Sequence, residues 1–529
     1  MTEAVDVLVV GAGPTGLTLA LQAHEHGAHV RIVERRPEAF RPSRALILHP
    51  RTLEVLRPLG VTDALLGLAD TAPTARLHLG PHVVRAGPAD LALPDTAFPH
   101  LSLIRQMDVE RVLAAALADR GVEVERGTEL VALRDGGRGA DAVLRSGTGT
   151  EVIRCPFVAG CDGPDSTVRA GAGIGWHGRP YAVEAVLADI DLGREGFGHD
   201  GAEAFAGRQG LLLLFPLGER APWRLLATRA SDGAHGAAFG QAGPAVPRAE
   251  LQRLLSDAGL DARIERLAWS ARVPLQYRLA RRFRRGRLFL AGDAAHTYSP
   301  ATGQGMNAGI QDAVNLGWKL GFAAGPSAGA PAGEVGTEVL LDSYDRERRP
   351  VAYRRLLLTH AAFWAEASTG RVPSWLRAVA APRGAPAVPV LLDHRRLVAE
   401  GIRVISQLRV HYRNSPLSVE GTPHLRGAPR PGDRLPDATV SAGGTPQRLH
   451  ALLARPGVHL LLQRDADPLP DASHGPHVDV LRLMNSPGRG LMAVRPDGHV
   501  GYTSGAPDAA GLNRWLALIG AAATSAGRP

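Results

Sequence analysis

Residues 5–34 carry the pattern that most constrains the fold of this chain. An apolar run, VDVLVV, leads into the glycine-rich turn GAGPTG and then into an alanine- and leucine-rich stretch. A second apolar run, HVRIVE, ends at Glu34. A buried strand, a glycine turn, a helix and a second strand together form a βαβ unit that carries a dinucleotide-binding fingerprint. The sequence therefore predicts a parallel sheet with a nucleotide at the first turn.

Each glycine of this turn has its own physical task. Gly11 permits the tight turn, Gly13 lets the backbone approach a pyrophosphate, and Gly16 lets the helix pack closely on the strand. Pro14 and Thr15 open the helix, whose N-terminus faces the phosphates. The three glycines, Pro14 and Thr15 are all predicted to bind the nucleotide cofactor.

Glu34 lies 23 positions after Gly11, at the end of the second strand. A carboxylate at this place accepts hydrogen bonds from a ribose diol and repels a 2′-phosphate, so NADP is disfavoured here. The neighbouring Arg35 is predicted to lie at the same edge. The fingerprint itself leaves NAD and FAD open.

A second glycine-rich segment lies far downstream, at 286–324. An apolar strand ends in Gly292 and Asp293, a loop containing Pro300 follows, and helical spacing of apolar residues predicts a helix from about Met306 to Ala324. The density of glycine and proline after a second apolar strand favours a second part of the same nucleotide site.

This segment resembles the Gly-Asp fingerprint of the class A flavoprotein monooxygenases, the aromatic hydroxylases related to p-hydroxybenzoate hydroxylase. The resemblance implies that Asp293 binds a ribityl hydroxyl of FAD and that Pro300 lies close to the isoalloxazine. It also implies that the backbone of Gly303–Asn307 meets the flavin N1–C2=O edge. The partial positive charge of a helix N-terminus would stabilise the anionic reduced flavin there.

Three further stretches resemble segments of the same family. VAGCDGPDSTVR at 158–169 resembles the internal Asp-Gly motif near the cofactor pyrophosphate, with Asp162, Gly163 and Arg169 as the matching residues. Arg44 would lie near the FAD phosphates, and Arg105 and Gln106 near the ribityl chain. The resemblance thus implies these cofactor residues: Gly11, Gly13, Pro14, Thr15, Gly16, Glu34, Arg35, Arg44, Arg105, Gln106, Asp162, Gly163, Gly292, Asp293, Pro300, Gly303, Gln304, Gly305, Met306 and Asn307.

The expected fold is α/β: a Rossmann-like FAD-binding domain, an inserted antiparallel substrate-binding sheet and a thioredoxin-like C-terminal domain. The predicted ranges are 1–175 and 276–400 for the FAD-binding domain, 176–275 for the sheet, 401–430 for a linker and 431–529 for the tail. The tail resembles that of bacterial polyketide and phenol hydroxylases, including its turn at 495–498. It has no Cys-X-X-Cys pair, because no cysteine follows Cys161.

The resemblance implies an FAD-dependent monooxygenase that uses NADPH or NADH and O₂. It would hydroxylate an aromatic polyketide or another polycyclic phenol through a flavin C4a-hydroperoxide. A Baeyer–Villiger or antibiotic-inactivating monooxygenase, a flavin oxidase and a non-catalytic protein that retains the fold stay open as alternatives. No catalytic acid or base is assigned, because no residue spacing identifies such a pair.

Composition argues against other classes of protein. The net charge is +8, yet Lys319 is the only lysine, and neither an aromatic platform nor a known nucleic-acid motif accompanies the arginine cluster at 278–287. No apolar run is long enough to span a membrane, and only Cys155 and Cys161 occur, which favours the cytoplasm. The histidines at 24, 26 and 29 are expected at the surface, not at a metal. The partner is then a small aromatic molecule, and a homodimer stays open.

Overall fold

The computed structural model describes residues 5–38, 46–87, 93–193, 201–207, 210–217, 222–231, 243–300, 303–325, 333–368, 370–442, 445–469 and 475–522. The strands, in chain order, are β1 (Val7–Val10), β2 (Val30–Glu34), β3 (Ile47–Leu48), β4 (Ala75–Leu79), β5 (His82–Ala86), β6 (Ser102–Leu103), β7 (Val124–Arg126), β8 (Glu129–Asp135), β9 (Ala140–Ser146), β10 (Gly149–Cys155), β11 (Phe157–Gly160), β12 (Trp176–Leu192), β13 (Ala202–Gly207), β14 (Gly210–Pro216), β15 (Trp223–Ala230), β16 (Ile264–Ala280), β17 (Arg284–Arg285), β18 (Leu288–Leu290), β19 (His296–Thr297), β20 (Val419–Glu420), β21 (Thr439–Ala442), β22 (Thr445–Arg448), β23 (Val458–Gln463), β24 (Val478–Leu483), β25 (Leu491–Val494) and β26 (Val500–Ser504).

The helices are α1 (Pro14–Glu25), α2 (Pro50–Leu56), α3 (Thr62–Leu68), α4 (Gln106–Ala118), α5 (Thr167–Gly171), α6 (Arg248–Asp257), α7 (Gln304–Ala324), α8 (Gly333–Ala367), α9 (Arg371–Trp375), α10 (Ala381–Gly384), α11 (Val388–Asp393), α12 (Arg395–Ile405), α13 (Leu449–Leu452) and α14 (Ala509–Ile519). Short helical turns also form at Arg57–Leu59, Gly292–Ala294, Leu376–Ala380 and Ala385–Ala387.

A six-stranded sheet forms the centre of the FAD-binding domain, in the order β17-β18-β11-β1-β2-β7. Its strands pair in parallel, except that β17 is antiparallel to β18. The four residues of β1 are at most 6% exposed, so this strand is buried on both of its faces. A strand buried on both faces needs a continuous apolar run, and this is the pattern that the sequence shows.

Helices α1 and α7 pack against each other through glycines of α7. A Cβ at Gly309 would collide with the Thr15 hydroxyl, and a Cβ at Gly317 would lie 2.6 Å from the Gln22 Cβ. Gly321 is equally close to His26. The glycines therefore let the two cofactor-binding helices approach with their N-termini at the same side of the domain.

The second large sheet has eight strands in the order β19-β16-β12-β15-β14-β13-β4-β5. Its two faces differ, because successive residues of a strand point to opposite sides. One face packs under α6 in an apolar core that includes Val186, Leu214 and Trp223. The other face turns toward the FAD-binding domain. The sheet is antiparallel except for the β13–β4 pair.

The C-terminal domain is a five-stranded sheet in the order β20-β26-β25-β23-β24. Its closing helix α14 contacts α8 of the FAD-binding domain. The Trp515 indole N–H donates to the Leu417 carbonyl at 2.9 Å, which ties α14 to the segment that leads into the sheet. The mixed α/β architecture confirms the predicted fold class.

Several predicted boundaries differ from the structure. The eight-stranded sheet was predicted within 176–275, but it also contains β4 and β5 from residues 75–86. Strand β13 pairs with β4 and would otherwise be an unpaired edge strand. Strand β16 continues to Ala280, past the predicted boundary at 275. Helix α7 begins at Gln304, two residues before the predicted start.

The prediction that the histidines of α1 and its C-terminal turn lie at the surface is wrong for His26. This side chain is 2% exposed, and its ring lies 5.2 Å from that of Phe322 and 5.9 Å from that of His477. Burial lowers the pKa of His26 to about 3. The helix presents this residue to α7 and to the C-terminal domain, a contact that the local sequence does not indicate.

Candidate active site

The first loop has the shape that its glycines predict. Gly11 has φ +101°, and a Cβ there would collide with the Cys161 carbonyl oxygen. A Cβ at Gly16 would collide with the Gly11 carbonyl. A Cβ at Gly13 would meet no protein atom within 4 Å. Gly13 therefore borders open space, as the close approach of a phosphate requires.

Helix α1 begins directly behind this loop. Its N-cap is Gly13, which has no side chain to occupy the free N–H groups of the first turn, and Pro14 stands at the start of the helix. The Thr15 hydroxyl packs between Gly292 and Gly309. The uncapped helix start offers a positive end for an anionic group.

The Glu34 carboxylate lies against the glycine loop. It accepts the Ala12 N–H at 2.9 Å and the Arg36 N–H at 3.0 Å. Glu34 and Arg35 both line the cavity described below. The carboxylate is thus fixed at the end of β2, where the sequence predicts the ribose of the nucleotide.

The second loop carries Asp162 and Gly163. The Asp162 Oδ2 accepts the Val168 N–H at 3.2 Å, whereas its Oδ1 is buried and has no hydrogen-bond partner in the described part of the chain. Burial raises the pKa of Asp162. Asp162 lines the cavity described below, and a hydroxylated ligand could satisfy a buried acceptor that has no partner in the protein.

Arg169 joins the second loop to the third. Its guanidinium donates to the Ala294 carbonyl at 2.9 Å and to the Pro164 carbonyl at 2.6 Å, and it lies 4.0 Å from the centre of the Trp176 ring. Two segments more than a hundred residues apart in the chain are therefore held at one place.

The third loop begins at Gly292 and is described as far as Pro300; Gly303 follows at the start of α7. Gly292 has φ +60°, and a Cβ there would lie 2.5 Å from the Thr15 hydroxyl. Asp293 and Pro300 line the cavity. Gly303, with φ +63°, is the N-cap of α7, so a second helix begins at the cavity without a capping side chain.

The side chains at the start of α7 have structural partners. Gln304 donates to the Ile405 carbonyl at 2.8 Å and accepts from Arg355 at 2.5 Å. The Asn307 amide donates to the Ile47 carbonyl at 2.9 Å, and its oxygen accepts from the His49 N–H and the Thr52 hydroxyl. The Gln304 and Asn307 side chains are therefore engaged within the protein.

These loops enclose a cavity of about 510 Å³. The predicted residues that line it are Gly11, Gly13, Pro14, Thr15, Glu34, Arg35, Gln106, Asp162, Gly163, Asp293, Pro300, Gly303, Gln304, Gly305 and Met306.

Four other predicted residues within the described part of the chain do not line this cavity. Gly16, Gly292 and Asn307 lie behind it and shape its loops. Arg105 bonds Asp108 at 2.7 Å. Arg44 lies outside the described residues.

Gln106 lines the cavity, but its amide donates to Glu110 at 2.8 Å. Burial raises the pKa of the Glu110 carboxyl, which faces the same cavity. The sequence analysis did not single out Glu110. Its spacing of four residues from Gln106, which is one turn if the segment is helical, was the available signal.

The far half of the cavity is formed by the eight-stranded sheet. The residues of β12, β14, β15 and β16 that line it are all apolar: Ala185, Leu187, Leu213, Phe215, Leu226, Val273 and Leu275. They alternate with core residues on the same strands, so the period of two in β12, β14 and β16 was the signal that could have identified them. The sequence analysis named the strands and not these side chains.

The residues at the near half fit a dinucleotide cofactor. Gly13 leaves room at the first helix start, α1 and α7 both begin at the cavity with glycine N-caps, and Asp162 keeps a buried acceptor without a partner. The Thr297 and Tyr298 hydroxyls also line the cavity without hydrogen-bond partners among the described residues. In the same part of the chain, no group of three His, Cys, Asp or Glu side chains could hold a metal ion.

Comparison with known families agrees with this geometry. The family described as "FAD binding domain" matches residues 4–357, and the family "Aromatic-ring hydroxylase, C-terminal" matches residues 428–523. The fold and the cavity therefore define a flavin-binding hydroxylase architecture. The chain belongs to the FAD-dependent aromatic-ring hydroxylases and is a flavin-dependent monooxygenase.

Individual relatives extend over most of the chain. A 6-methylpretetramide 4-monooxygenase of Streptomyces rimosus is 34% identical over 78% of this chain and 71% of its own. A rifampicin monooxygenase of Streptomyces venezuelae is 32% identical over 98% of this chain and 99% of its own. CabE, an aromatic hydroxylase from angucycline biosynthesis, superimposes with a TM-score of 0.75 at 29% identity, over 98% of this chain and 100% of its own.

Proposed function

We propose that this monooxygenase hydroxylates a polycyclic aromatic phenol of the aromatic polyketide kind, with NADPH or NADH as reductant and O₂ as oxidant. One cavity carries this proposal, because it joins the polar loops of the cofactor half to the apolar face of the eight-stranded sheet. In the balanced reaction an aromatic C–H becomes C–OH. One oxygen atom of O₂ enters this C–OH group, and the other leaves as water after taking up two electrons from the nicotinamide and two protons, so that NAD(P)H and one H⁺ are consumed and NAD(P)⁺ is released.

The residues listed above for the cofactor half would hold FAD, which supplies hydride acceptance and oxygen activation when bound. The uncapped start of α7 places backbone N–H groups where negative charge develops. The alternating apolar residues of the sheet bind the rings of the substrate and exclude water from the reacting atoms.

Substrate activation is proposed to come from the substrate itself. Among the described sheet residues that line the cavity, none is titratable. A phenol that loses its own proton needs no protein base for electrophilic attack on its ring. Tyr298 can still donate a hydrogen bond, because burial raises the pKa of this cavity-lining phenol well above its usual range.

The names of the relatives support the substrate class. They include the 6-methylpretetramide 4-monooxygenase, an anhydrotetracycline monooxygenase and, among solved structures, aklavinone-11 hydroxylase with FAD and aklavinone. The full-length match to a rifampicin monooxygenase favours a second candidate function, the oxidative inactivation of an antibiotic.

Turnover under ¹⁸O₂ tests the proposal. The enzyme is incubated with NADPH or NADH and one compound at a time from a panel of anthracycline-type and tetracycline-type phenols that includes rifampicin. Mass spectrometry then gives the masses of the products. Incorporation of one ¹⁸O into an aromatic ring supports hydroxylation, and incorporation into rifampicin supports the second candidate. Loss of two hydrogens without oxygen would identify an oxidase. A failure of NADPH and NADH to reduce the flavin with every ligand would favour a non-catalytic protein.

We also propose a homodimer, on the basis of exposed apolar side chains. Most of the large exposed apolar residues of the described chain fall between 353 and 404: Tyr353, Leu357, Leu358, Trp364, Val372, Trp375, Val390, Leu391, Leu392, Leu397 and Val404. Such a concentration is typical of an interaction surface. Light scattering should give twice the monomer mass, and Leu357→Glu should lower it. A monomeric mass for the unaltered chain would overturn the proposal.

The remaining proposal is that the protein acts in the cytoplasm on a small molecule and binds neither nucleic acid nor a membrane. The arginine cluster at 278–287 is partly engaged within the protein, since Arg284 pairs with Glu338 and Arg285 donates to the Ala172 carbonyl. Cys155 and Cys161 are free thiols. Among the helices of the described chain, none has the length and apolar character needed to cross a membrane.

A further inference from the structure

The only lysine of the chain lies inside the molecule, in a network of buried charges. The network consists of six residues whose side chains are at most 4% exposed: Asp312, Lys319, Glu347, Arg348, Arg495 and Asp497. Three cations face three carboxylates, so the network is neutral. Removing these charges from water costs free energy, and the loss of one partner leaves another charge buried without compensation, which destabilises the fold.

One end of the network belongs to the C-terminal domain. Arg495 donates to both Glu347 oxygens, at 2.7 and 2.8 Å, and to Asp497 at 2.6 Å. Glu347 also accepts from Lys319 at 2.7 Å and from Ser415 at 2.5 Å. Burial opposes the charge of Glu347, but Arg495 and Lys319 hold the pKa of this carboxyl at about 2.

The other end reaches the third loop of the cofactor site. Arg348 donates to Asp312 at 2.6 Å. The second Asp312 oxygen bonds the His296 ring at 2.5 Å and accepts the Gly292 N–H at 3.2 Å. His296 stacks on Tyr298 with 4.8 Å between ring centres, and Tyr298 lines the cavity.

The two ends of the network are connected by residues that are neighbours on the same helix and by direct side-chain contacts. Glu347 and Arg348 are neighbours on α8. Asp312 and Lys319 lie two turns apart on α7, with Asn315 between them, which bonds both Glu347 and Asp497. Tyr412 accepts from Arg348 at 3.0 Å, and its ring lies 5.5 Å from the Arg495 guanidinium. Every step is a direct contact between buried groups.

We propose that Arg495 of the C-terminal domain is a positioning residue of the cofactor site. By neutralising Glu347 it keeps α7 and α8 in the arrangement in which Asp312 holds the loop Gly292–Tyr298 against the flavin. The C-terminal domain, which has no thiol chemistry, thereby contributes to flavin retention. The proposal rests on the cofactor site and not on the identity of the substrate.

The test compares the rate of FAD release from the holoenzyme of two variants, well below their unfolding temperatures. Arg495→Met removes the counter-charge of Glu347. Arg377→Met is the matched control, because Arg377 is equally buried but donates to the backbone carbonyls of Gly207, Ala365 and Ser368, away from the network. We expect Arg495→Met to release FAD about tenfold faster than Arg377→Met at a comparable loss of thermal stability.

Three further measurements separate positioning from general destabilisation. The visible circular dichroism of the bound flavin should change in Arg495→Met and not in Arg377→Met. Arg495→Lys, which keeps the charge, should restore part of the retention. In a double-mutant cycle with Asp312→Asn, the effects on the release rate should be clearly less than additive.

The outcomes are distinct. Equal release rates and unchanged flavin dichroism in Arg495→Met and Arg377→Met would overturn the positioning role. If Arg495→Met does not fold, it is replaced by Ser415→Ala, which removes one hydrogen bond to Glu347. FAD release from Ser415→Ala that is no faster than from Arg377→Met would then also overturn the proposal. An unaltered chain that binds no flavin would refute the function itself.

Discussion

The two halves of the cavity are built by different means. The cofactor half consists of loops whose backbone conformations only glycine tolerates, such as Gly11 and Gly292, together with two helix starts. The substrate half consists of alternating apolar residues of an ordinary sheet, such as Leu187 and Leu213. Cofactor binding therefore depends on a few irreplaceable positions. Substrate binding depends on the shape formed by many exchangeable ones.

The largest effect is expected at Gly13. Gly13→Val places a side chain in the space that a pyrophosphate would occupy, and no protein atom is displaced. FAD affinity should fall by at least about a hundredfold, while the apoprotein unfolds at its usual temperature. The ratio of flavin to protein absorbance after purification measures this. The control is Gly67→Ala on the exposed side of α3, where a Cβ also meets no atom; it should keep its flavin.

The next largest effect comes from two adjacent leucines of β14 whose side chains lie on opposite faces of the sheet. Leu214 is fully buried in the core under α6, whereas Leu213 lines the cavity. Leu214→Ala should lower the free energy of unfolding by about 2–5 kcal/mol without changing the affinity for aromatic ligands. Leu213→Ala should weaken ligand binding and change stability less. Urea unfolding and ligand titration check both, and an interchange of the two effects would contradict the assigned faces.

A smaller effect is expected at Asp293. Asp293→Ala removes charge-assisted hydrogen bonds to the cofactor, so FAD binding should weaken by about 1.5–3 kcal/mol. Fluorescence titration of the apoprotein with FAD gives the dissociation constant. Asp141→Ala, at a side chain on β9 that is 46% exposed, is the control. Unchanged affinity in Asp293→Ala would show that the resemblance misplaces this residue.

The smallest effect lies outside both halves, at His26. Its pKa is lowered to about 3, mainly by burial, from an ordinary value of 6.5. The folded state therefore binds fewer protons than the unfolded state, and stability is lost as the pH falls from 6.5 toward 3. Between pH 7.5 and 5.5 the loss should be about 1.4 kcal/mol. His26→Phe should remove this contribution from urea unfolding curves, and His24→Phe should not. Identical slopes for His26→Phe and the unaltered chain would contradict the assignment.

The same contrast explains what the sequence could predict. Gly11 and Gly16 can be recognised in the sequence because a Cβ there would collide with the backbone, and Gly13 because a side chain there would fill the space of a phosphate. The fold class and the cofactor half follow from such positions. Leu213 and Leu214 look alike in the sequence, since only the placement of the sheet decides which one faces the cavity. The predicted role of Arg105 also depended on local pattern alone, and the structure pairs it with Asp108.

Long-range contacts were beyond the reach of sequence patterns. Nothing near Glu347 indicates that its partner lies at Arg495, because the pair forms only when two domains meet. His26 became buried for the same reason. Contacts between distant segments need a three-dimensional arrangement, whereas a tight turn needs only its own residues.

The burial of Lys319 has a practical consequence. Its side chain is 0% exposed, and the chain has no other lysine. In the native protein, amine-reactive reagents should therefore modify only the α-amino group, so that dyes and surface supports can be attached at a single point. A second modified amine would then report that the two domains have separated.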